Sequence, residues 1–329
     1  MDPVTALRQI AYYKDRARED SRRVMAYRNA ADIVERLDDA EWERHGQANS
    51  WQSLPGIGSK TAKVIDQAWS GREPDVLVEL RAAAEDLGGG EIRAALRGDL
   101  HLHSNWSDGS APIEEMMATA AALGHEYCAL TDHSPRLTVA NGLSAERLRE
   151  QLELVAALNT ELAPFRILTG IEVDILEDGA LDQDEDLLAR LDVVVASVHS
   201  KLRMPAAEMT PRMLTAIRNP HADVLGHCTG RMILGRGRPE SAFDPDAVFA
   251  ACRDHGVAVE INCRPERQDP PDRLLLLALA AGCTFAIDSD AHAPGQLDWL
   301  DSGCARAESL GIQPGQVINT RSAGDLPGG

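Results

Sequence analysis

The sequence predicts an α/β fold, in which a closed barrel of parallel strands follows a smaller helical domain. Seven short apolar runs lie between residues 98 and 287, and helical segments separate most of them. Continuous apolar strands that alternate with helices are typical of a parallel sheet buried on both faces. About seven β/α units in ~230 residues favour a barrel, and an open doubly wound sheet is the alternative. The predicted strands are residues 98–103, 127–131, 166–175, 192–198, 222–226, 256–261 and 283–287, and the predicted helices include 112–123, 144–162, 208–218, 244–255 and 272–281.

The N-terminal quarter of the chain has a different pattern. Residues 6–85 lack clear strand patterns, and the segment 28–37 places its apolar side chains on one helical face. Three consecutive glycines, Gly88 to Gly90, then indicate a loop or linker. We therefore predict a helical domain over residues 1–90 and the barrel over residues 97–329.

Composition excludes several classes of protein. The 329 residues are 44% hydrophobic, which is too many for a disordered chain. The longest apolar run, Leu274 to Ala281, is far shorter than the ~20 residues that a membrane helix needs. The N-terminus carries no apolar stretch of the signal-peptide kind, and the six cysteines show no CxxC spacing. We expect a cytoplasmic protein with reduced thiols and no membrane partner.

The net charge of −19 is distributed unevenly. Residues 1–97 carry a net charge of −2, whereas residues 98–329 carry −17. Such an acidic barrel repels a long DNA backbone, so the charge excludes a protein that coats DNA broadly. It leaves open the local binding of a DNA end or of a small phosphate ester.

Histidines and carboxylates follow most of the predicted strands. Because the C-terminal ends of the strands in a parallel barrel meet at one mouth, we expect these side chains to converge there. His101 and His103 are two residues apart on a strand and point to the same face, and the same holds for Asp290 and His292. The candidate ligands are His101, His103, Asp108, His133, Glu172, His199, His227, Asp290 and His292.

Mixed nitrogen and oxygen ligands of this kind indicate divalent metal ions. They suit zinc, manganese or iron, and the lack of cysteine ligands weakens the case for a structural zinc site. Any single histidine of the set could instead be a structural residue. The two paired motifs, together with single histidines at the ends of three more strands, favour a metal centre over that alternative.

These motifs resemble the PHP family, named for polymerase and histidinol phosphatase. The resemblance covers residues 97–320 and rests on His101-Leu-His103, Thr131-Asp-His133, Gly170-Ile-Glu172, Ser197-Val-His199, Gly226-His227 and Asp290-Ala-His292. Within the family, the segment Asn262 to Asp269 is most similar to the PHP domains of bacterial family X DNA polymerases.

The resemblance implies a distorted (β/α)7 TIM-like barrel with three divalent ions, each held by its own ligand set. One set is His101, His103, Glu172 and Asp290, the second is Glu172, His199 and His227 with Glu172 bridging, and the third is Asp108, His133 and His292.

The implied function is a metal-dependent phosphoesterase that hydrolyses phosphate esters by metal-activated hydroxide. Closely spaced cations make hydroxide available near neutral pH and neutralise phosphoryl oxygens. Glu172 and Asp290 are then the catalytic carboxylates. Because arginine binds phosphate through two parallel hydrogen bonds, we expect a substrate contact from Arg203, Arg231 or Arg267, which follow the strand ends.

The segment Leu54 to Ala62 resembles a helix-hairpin-helix element. Its glycines allow backbone N–H groups to approach a phosphate at the start of the next helix. The candidate DNA-binding residues are Gly56, Gly58, Lys60 and Lys63. A turn used only for packing is the alternative. Val64 stands where related domains can carry a lyase lysine, so we predict no lyase activity.

Only 34 residues separate the hairpin from the barrel, which leaves no room for a polymerase palm. We therefore expect no polymerase activity. Our leading hypothesis is a phosphoesterase acting on DNA 3′ ends, as a 3′–5′ exonuclease or end-processing enzyme. The alternatives are a small-molecule phosphatase of the histidinol-phosphatase type and a non-catalytic DNA-binding module.

Overall fold

The computed structural model describes residues 1–326. Contacts divide the chain into two compact units, Met1–Asp86 and Leu87–Gly329. The domain bounds of 1–90 and 97–329 stay a prediction, because this division falls a few residues earlier in the chain than either of them. In the described residues, no helix is long and apolar enough to cross a membrane.

The first unit consists of helices around a small apolar core. The core includes Leu7, Ile10, Trp51 and Ile65, each with a fully buried side chain. Three helices begin after an aspartate whose carboxylate accepts a backbone N–H of the first turn, which stabilises the helix start. The helices are α1 (Pro3–Arg16), α2 (Ser21–Glu35), α3 (Asp39–Ala48), α4 (Ser59–Trp69) and α5 (Asp75–Ala83).

The second unit alternates strands with helices. Its strands are β1 (Gly98–Leu102), β2 (Tyr127–Leu130), β3 (Arg166–Asp174), β4 (Val193–Ser197), β5 (Val224–Leu225), β6 (Ala258–Asn262) and β7 (Phe285–Asp288). Its helices are α6 (Glu91–Ala95), α7 (Ile113–Ala122), α8 (Ala145–Glu161), α9 (Glu185–Leu188), α10 (Ala206–Ile217), α11 (Pro245–His255), α12 (Asp272–Ala281) and α13 (Leu300–Ser309).

The seven strands form one parallel sheet in the order in which they occur along the chain. Apart from Arg166 and Thr169, every strand residue is buried, as expected for a sheet covered on both faces. One apolar cluster, which includes Leu100, Leu168 and Val195, fills the interior, and a larger one packs the strands against the helices. The predicted α/β barrel with a helical hairpin domain is confirmed.

Glycines end two of the barrel helices. Gly256 (φ 74°) follows α11 and Gly282 (φ 84°) follows α12, both in the left-handed region that side chains disfavour. At each of these glycines the chain leaves the helix and turns into the next strand, β6 or β7.

The contact between β1 and β7 closes the barrel without a regular strand ladder. At the C-terminal end, the His103 N–H donates to Ala291 O (2.8 Å) and the Asp290 N–H donates to His101 O (2.9 Å). At the other end, the buried amide of Asn319 donates to Ile287 O (2.7 Å) and to Gly98 O (3.0 Å). Asn319 therefore joins the first strand to the last.

We predict that Asn319→Ala lowers the free energy of unfolding by about 3 kcal/mol, because it leaves buried backbone groups of both strands without a partner. Urea unfolding followed by circular dichroism measures the change. Asn105→Ala, which shortens an exposed side chain, is the matched control. A loss for Asn319→Ala no larger than that of the control would contradict a role in closing the barrel.

Candidate metal centre

All nine predicted ligand side chains lie together at the C-terminal ends of the strands. In each of three groups, ligand atoms of different residues lie within 4.8 Å of one another. His227 is outside these groups, but its Nε2 lies 2.8 Å from Glu172 Oε1. The groups are His103, Asp108, His133 and His292; His101, His103 and Asp290; and His133, Glu172 and His199.

Glu172 lies at the centre of the cluster, near the end of β3, with 1% of its surface exposed. Its Oε1 is 3.2 Å from His199 Nε2. Its Oε2 is 2.7 Å from His133 Nδ1, 3.5 Å from His101 Nε2 and 3.6 Å from His103 Nε2. One buried carboxylate therefore faces five imidazoles, including that of His227.

The chemistry of these atoms fits divalent cations. Both carboxylate oxygens of Glu172, Nε2 of His101 and both ring nitrogens of His103 are buried and have no hydrogen-bond partner among the described residues. Buried polar atoms are costly unless they bind something, and close nitrogen and oxygen atoms without hydrogen-bond geometry suit a metal ion. The centre can therefore hold metal, and the identity and number of the ions stay a prediction.

Electrostatics favour an ionised Glu172 and a neutral His103, whereas Glu172, against the effect of burial, raises the pKa of His101 well above its usual value and that of His199 to about 9. Burial alone would raise the pKa of Glu172, but His199, His101 and His133 hold it well below its usual value, so the carboxylate stays ionised. Burial, together with His292 and His133, lowers the pKa of His103 well below its usual value, which keeps that imidazole neutral. Metal ligands are ionised carboxylates and neutral imidazoles, so a cation bound at His101 and His199 would displace their second protons.

The groups overlap with the predicted ligand sets but do not coincide with them. His103 joins the group of Asp108, and His133 joins Glu172 and His199. His133 reaches both because its Nε2 is 3.4 Å from Asp108 and its Nδ1 faces Glu172. The division into three ligand sets therefore stays a prediction.

Two carboxylates that the sequence reasoning missed hold the ligand segments in place. Asp132 is buried and accepts hydrogen bonds from Ser104, Ser107 and Gln151, which fixes the loop that carries Asp108. Asp174 accepts the backbone N–H of His199 (3.0 Å). Both lie within two residues of a predicted ligand in the sequence, and this proximity is the feature from which a supporting role could have been predicted.

The three predicted phosphate-binding arginines do not share one environment. Arg267 and Arg264 line the cavity above the ligands, which has a volume of about 280 Å³. Arg231 donates instead to the backbone oxygens of Arg267 and Gln268, and Arg203 is exposed and does not line the cavity. Of the three predicted arginines, Arg267 therefore lies at the barrel mouth, whereas Arg203 and Arg231 lie away from it. A phosphate contact from any of them stays a prediction.

The predicted hairpin glycines, Gly56 and Gly58, lie between the short helix Trp51–Ser53 and α4, and the predicted lysines, Lys60 and Lys63, lie within α4. Gly56 (φ 93°) adopts a conformation that favours glycine, and a Cβ there would lie 2.7 Å from Ile33. A Cβ at Gly58 would meet no atom within 4 Å. Lys60 lines a cavity beside the start of α4, whereas Lys63 forms an ion pair with Asp75 (3.1 Å).

Comparisons with known proteins agree with this geometry. The family model described as "PHP domain" matches residues 99–289, more than half of the chain. The chain belongs to the PHP family. A second model, described as "Helix-hairpin-helix domain", matches residues 1–73, so the sequence motifs at both ends are confirmed.

Among curated proteins, this PHP chain is 42% identical over 231 residues to the DNA polymerase/3′-5′ exonuclease PolX of Bacillus subtilis strain 168. The match covers 70% of the chain but only 40% of that relative's length. It is 30% identical over 238 residues to a "probable phosphatase" of Thermoanaerobacter sp. strain X514, covering 68% of the chain and 89% of the relative.

A solved structure shares the fold. It is the histidinol phosphate phosphatase of Lactococcus lactis subsp. lactis Il1403, complexed with zinc, L-histidinol and phosphate. The two chains superpose with a TM-score of 0.50 at 19% identity, over 66% of this chain and 94% of the other. At this identity the likeness supports the fold alone.

We predict that Glu172→Gln weakens zinc or manganese binding by at least about 100-fold, since even the loss of an outer partner of a metal ligand typically costs 10- to 100-fold. Metal bound per chain after dialysis, measured by mass spectrometry, tests this. Glu126→Gln, an exposed glutamate beside β2, is the control. Equal metal content in both variants would argue against the centre.

Proposed function

We propose that the chain is a metal-dependent phosphoesterase that hydrolyses phosphate esters. The single observation that supports this most strongly is the buried Glu172 carboxylate, which faces five imidazoles at the barrel mouth beside two arginines. Divalent ions in such a centre lower the pKa of water and offset the charge of phosphoryl oxygens. Membership of the PHP family, with relatives named exonuclease and phosphatase, supports the same reaction class.

The candidate ligands would offer carboxylate oxygens and imidazole nitrogens to cations at the base of the mouth. We propose three ions, of zinc, manganese or iron, held by the nine residues in the sets predicted above. Asp108 is the most open of the carboxylates, with 37% of its side chain exposed. It therefore lies where a substrate phosphate would enter.

Arg267 is the protein group best placed to bind that phosphate. Its Nε and Nη1 are buried and have no hydrogen-bond partner among the described residues, although Nε is 3.4 Å from Asp290 Oδ2. A buried guanidinium with unused N–H groups can donate to phosphate oxygens strongly, because water does not compete. Arg264 donates a hydrogen bond to Glu266 (2.8 Å), and its Nη1 lies 2.9 Å from Nδ1 of the candidate ligand His292. These contacts leave it less available to a substrate phosphate than Arg267.

We further propose that the substrate is a DNA end. Support comes from the hairpin, where Arg23, Lys60 and the open face of Gly58 line a cavity of about 370 Å³ at the start of α4. Backbone N–H groups at a helix start bind phosphate without reading sequence. Lys63 contributes less, since Asp75 neutralises it.

The mouth favours a single phosphate with a short attached group. Its wall includes the apolar residues Leu137, Val139 and Met232, and 92% of Val139 is exposed. With its volume of about 280 Å³, this cavity admits an ester group or a strand end, not a duplex. A small-molecule phosphatase remains the second candidate, favoured by the charge of −17 on residues 98–329.

The deciding experiment compares the protein, loaded with manganese or zinc, on single-stranded DNA, 3′-phosphorylated DNA and histidinol phosphate. We expect turnover of at least one DNA substrate and its loss in Glu172→Ala and His103→Ala. Lys60→Ala should reduce turnover of DNA and leave turnover of histidinol phosphate unchanged. Activity on histidinol phosphate alone would overturn the DNA proposal, and turnover that survives both ligand changes would overturn the phosphoesterase.

We predict that Arg267→Ala lowers kcat/KM for the preferred ester by about 100-fold, the usual cost of removing one donor to a developing charge. Steady-state kinetics at fixed metal concentration measure the effect. Arg203→Ala, which changes an exposed arginine outside the cavity, should keep the wild-type rate. A similar loss in both variants would show that general positive charge, not a phosphate contact, is responsible.

A further inference from the structure

Among the seven strands described, β6 alone supplies no candidate metal ligand, yet it places two polar side chains in the centre. Glu260 and Asn262 are two residues apart, so they face the same side of the strand. Glu260 is fully buried and Asn262 is 1% exposed. Burying a carboxylate is costly unless its oxygens are fully used, so the partners of Glu260 indicate its role.

Both oxygens of Glu260 bind segments that carry metal-ligand candidates. Oε1 lies 2.5 Å from His101 Nδ1, and Oε2 accepts the backbone N–H of His227 at 2.5 Å. His101 lies within β1 and His227 follows β5, so one carboxylate links two candidate ligands that are 126 positions apart. Glu260 itself belongs to none of the candidate metal groups in the described residues.

The contact to Oε1 determines which nitrogen of His101 faces the centre. Because a carboxylate accepts hydrogen bonds, Nδ1 carries a proton, and in the neutral imidazole that a metal ion needs the lone pair is then on Nε2. That Nε2 points to the centre, 3.5 Å from Glu172 and 4.0 Å from Asp290. Metal-ligating histidines in general donate their second ring N–H to a carboxylate or carbonyl in this way.

Asn262 performs a similar role for Asp290. Its amide Nδ2 donates to Asp290 Oδ2 (3.0 Å) and to Glu260 Oε2 (3.2 Å). The other oxygen of Asp290 is left to face His103 Nε2, 3.4 Å away. The amide therefore fixes the carboxylate of Asp290 and ties it to the same network as His101.

We propose that Glu260 and Asn262 are positioning residues, which hold His101, His227 and Asp290 in the geometry that binds a divalent cation. The proposal rests on the metal-dependent function proposed above. Glu260 sets the tautomer of one ligand and the backbone position of a second, and Asn262 orients the third.

Glu260→Gln tests the proposal because the amide has the same shape but only one accepting oxygen. If its NH₂ faces His101, the imidazole must accept at Nδ1 and carry its proton on Nε2, where it blocks a cation. If the NH₂ faces His227, two donors meet. Either way we expect zinc affinity of the metal-free chain, titrated against a chelator, to fall by roughly 10- to 100-fold.

The matched control is Asp223→Asn. Asp223 immediately precedes β5, at the opposite end of the strands, and accepts the Val194 N–H at 2.8 Å. This change also replaces a largely enclosed carboxylate by an amide but should leave zinc affinity unchanged. Thermal unfolding of both variants separates a loss of metal binding from a general loss of stability.

A second measurement detects the tautomer directly. In the zinc-loaded chain labelled with ¹⁵N-histidine, His101 should give an Nδ1–H signal that is absent from His101→Gln. We expect this signal to disappear or move in Glu260→Gln and to persist in Asp223→Asn. A carboxylate that only stabilised the fold would leave it in place.

Wild-type zinc affinity together with an unchanged Nδ1–H signal in Glu260→Gln would overturn the proposal. Should that variant fail to fold, Asn262→Ser carries the test, with weaker zinc binding expected and unchanged binding overturning the role of the pair. Because these readouts need no substrate, they separate the two ideas. Zinc binding that depends on Glu260 in a chain with no esterase turnover would contradict the proposed function alone.

Discussion

The candidate metal centre depends on the hydrogen bonds that join the first strand of the barrel to the last. The Asp290 N–H donates to His101 O and the His103 N–H donates to Ala291 O, so two motifs almost 190 residues apart in the sequence become neighbours. Side chains support the same contact from below. The Leu100 N–H donates to Asp288 (3.0 Å), and the Ser289 N–H donates to Asp99 (3.2 Å). The contacts that close the barrel therefore also bring His101 and His103 beside Asp290.

This arrangement concentrates titratable groups in a place with little water. A buried carboxylate surrounded by imidazoles is unfavourable unless charges are paired and polar atoms are used. Carboxylates outside the ligand set, such as Asp132, Asp174 and Glu260, meet part of that requirement by fixing ligand loops and ring orientation. Cations would use the remaining atoms. The buried groups that make the centre unfavourable to form without a cation are therefore the same groups that would bind one.

The two units of the chain differ in charge as well as in fold. The helical unit is nearly neutral and carries the hairpin, whereas the strongly acidic barrel carries the candidate metal ligands. Bound cations would offset part of the acidity around Asp108, Glu172 and Asp290, but a long DNA backbone would still be repelled. This charge distribution supports the proposal that the substrate presents one phosphate group at a time.

The sequence by itself determined the succession of buried strands and helices, and it indicated the candidate ligands at the strand ends. Apolar runs reveal buried parallel strands because both faces are covered, and ligands at the strand ends reveal the centre because those ends converge. Only the tertiary structure decided which loop arginine faces the mouth, that Asn319 joins β1 to β7, and that Glu260 holds His101. These features rest on single contacts between distant segments. The hydrophobic periodicity of the sequence does not predict such contacts, because they depend on where the folded loops and strand ends place individual atoms.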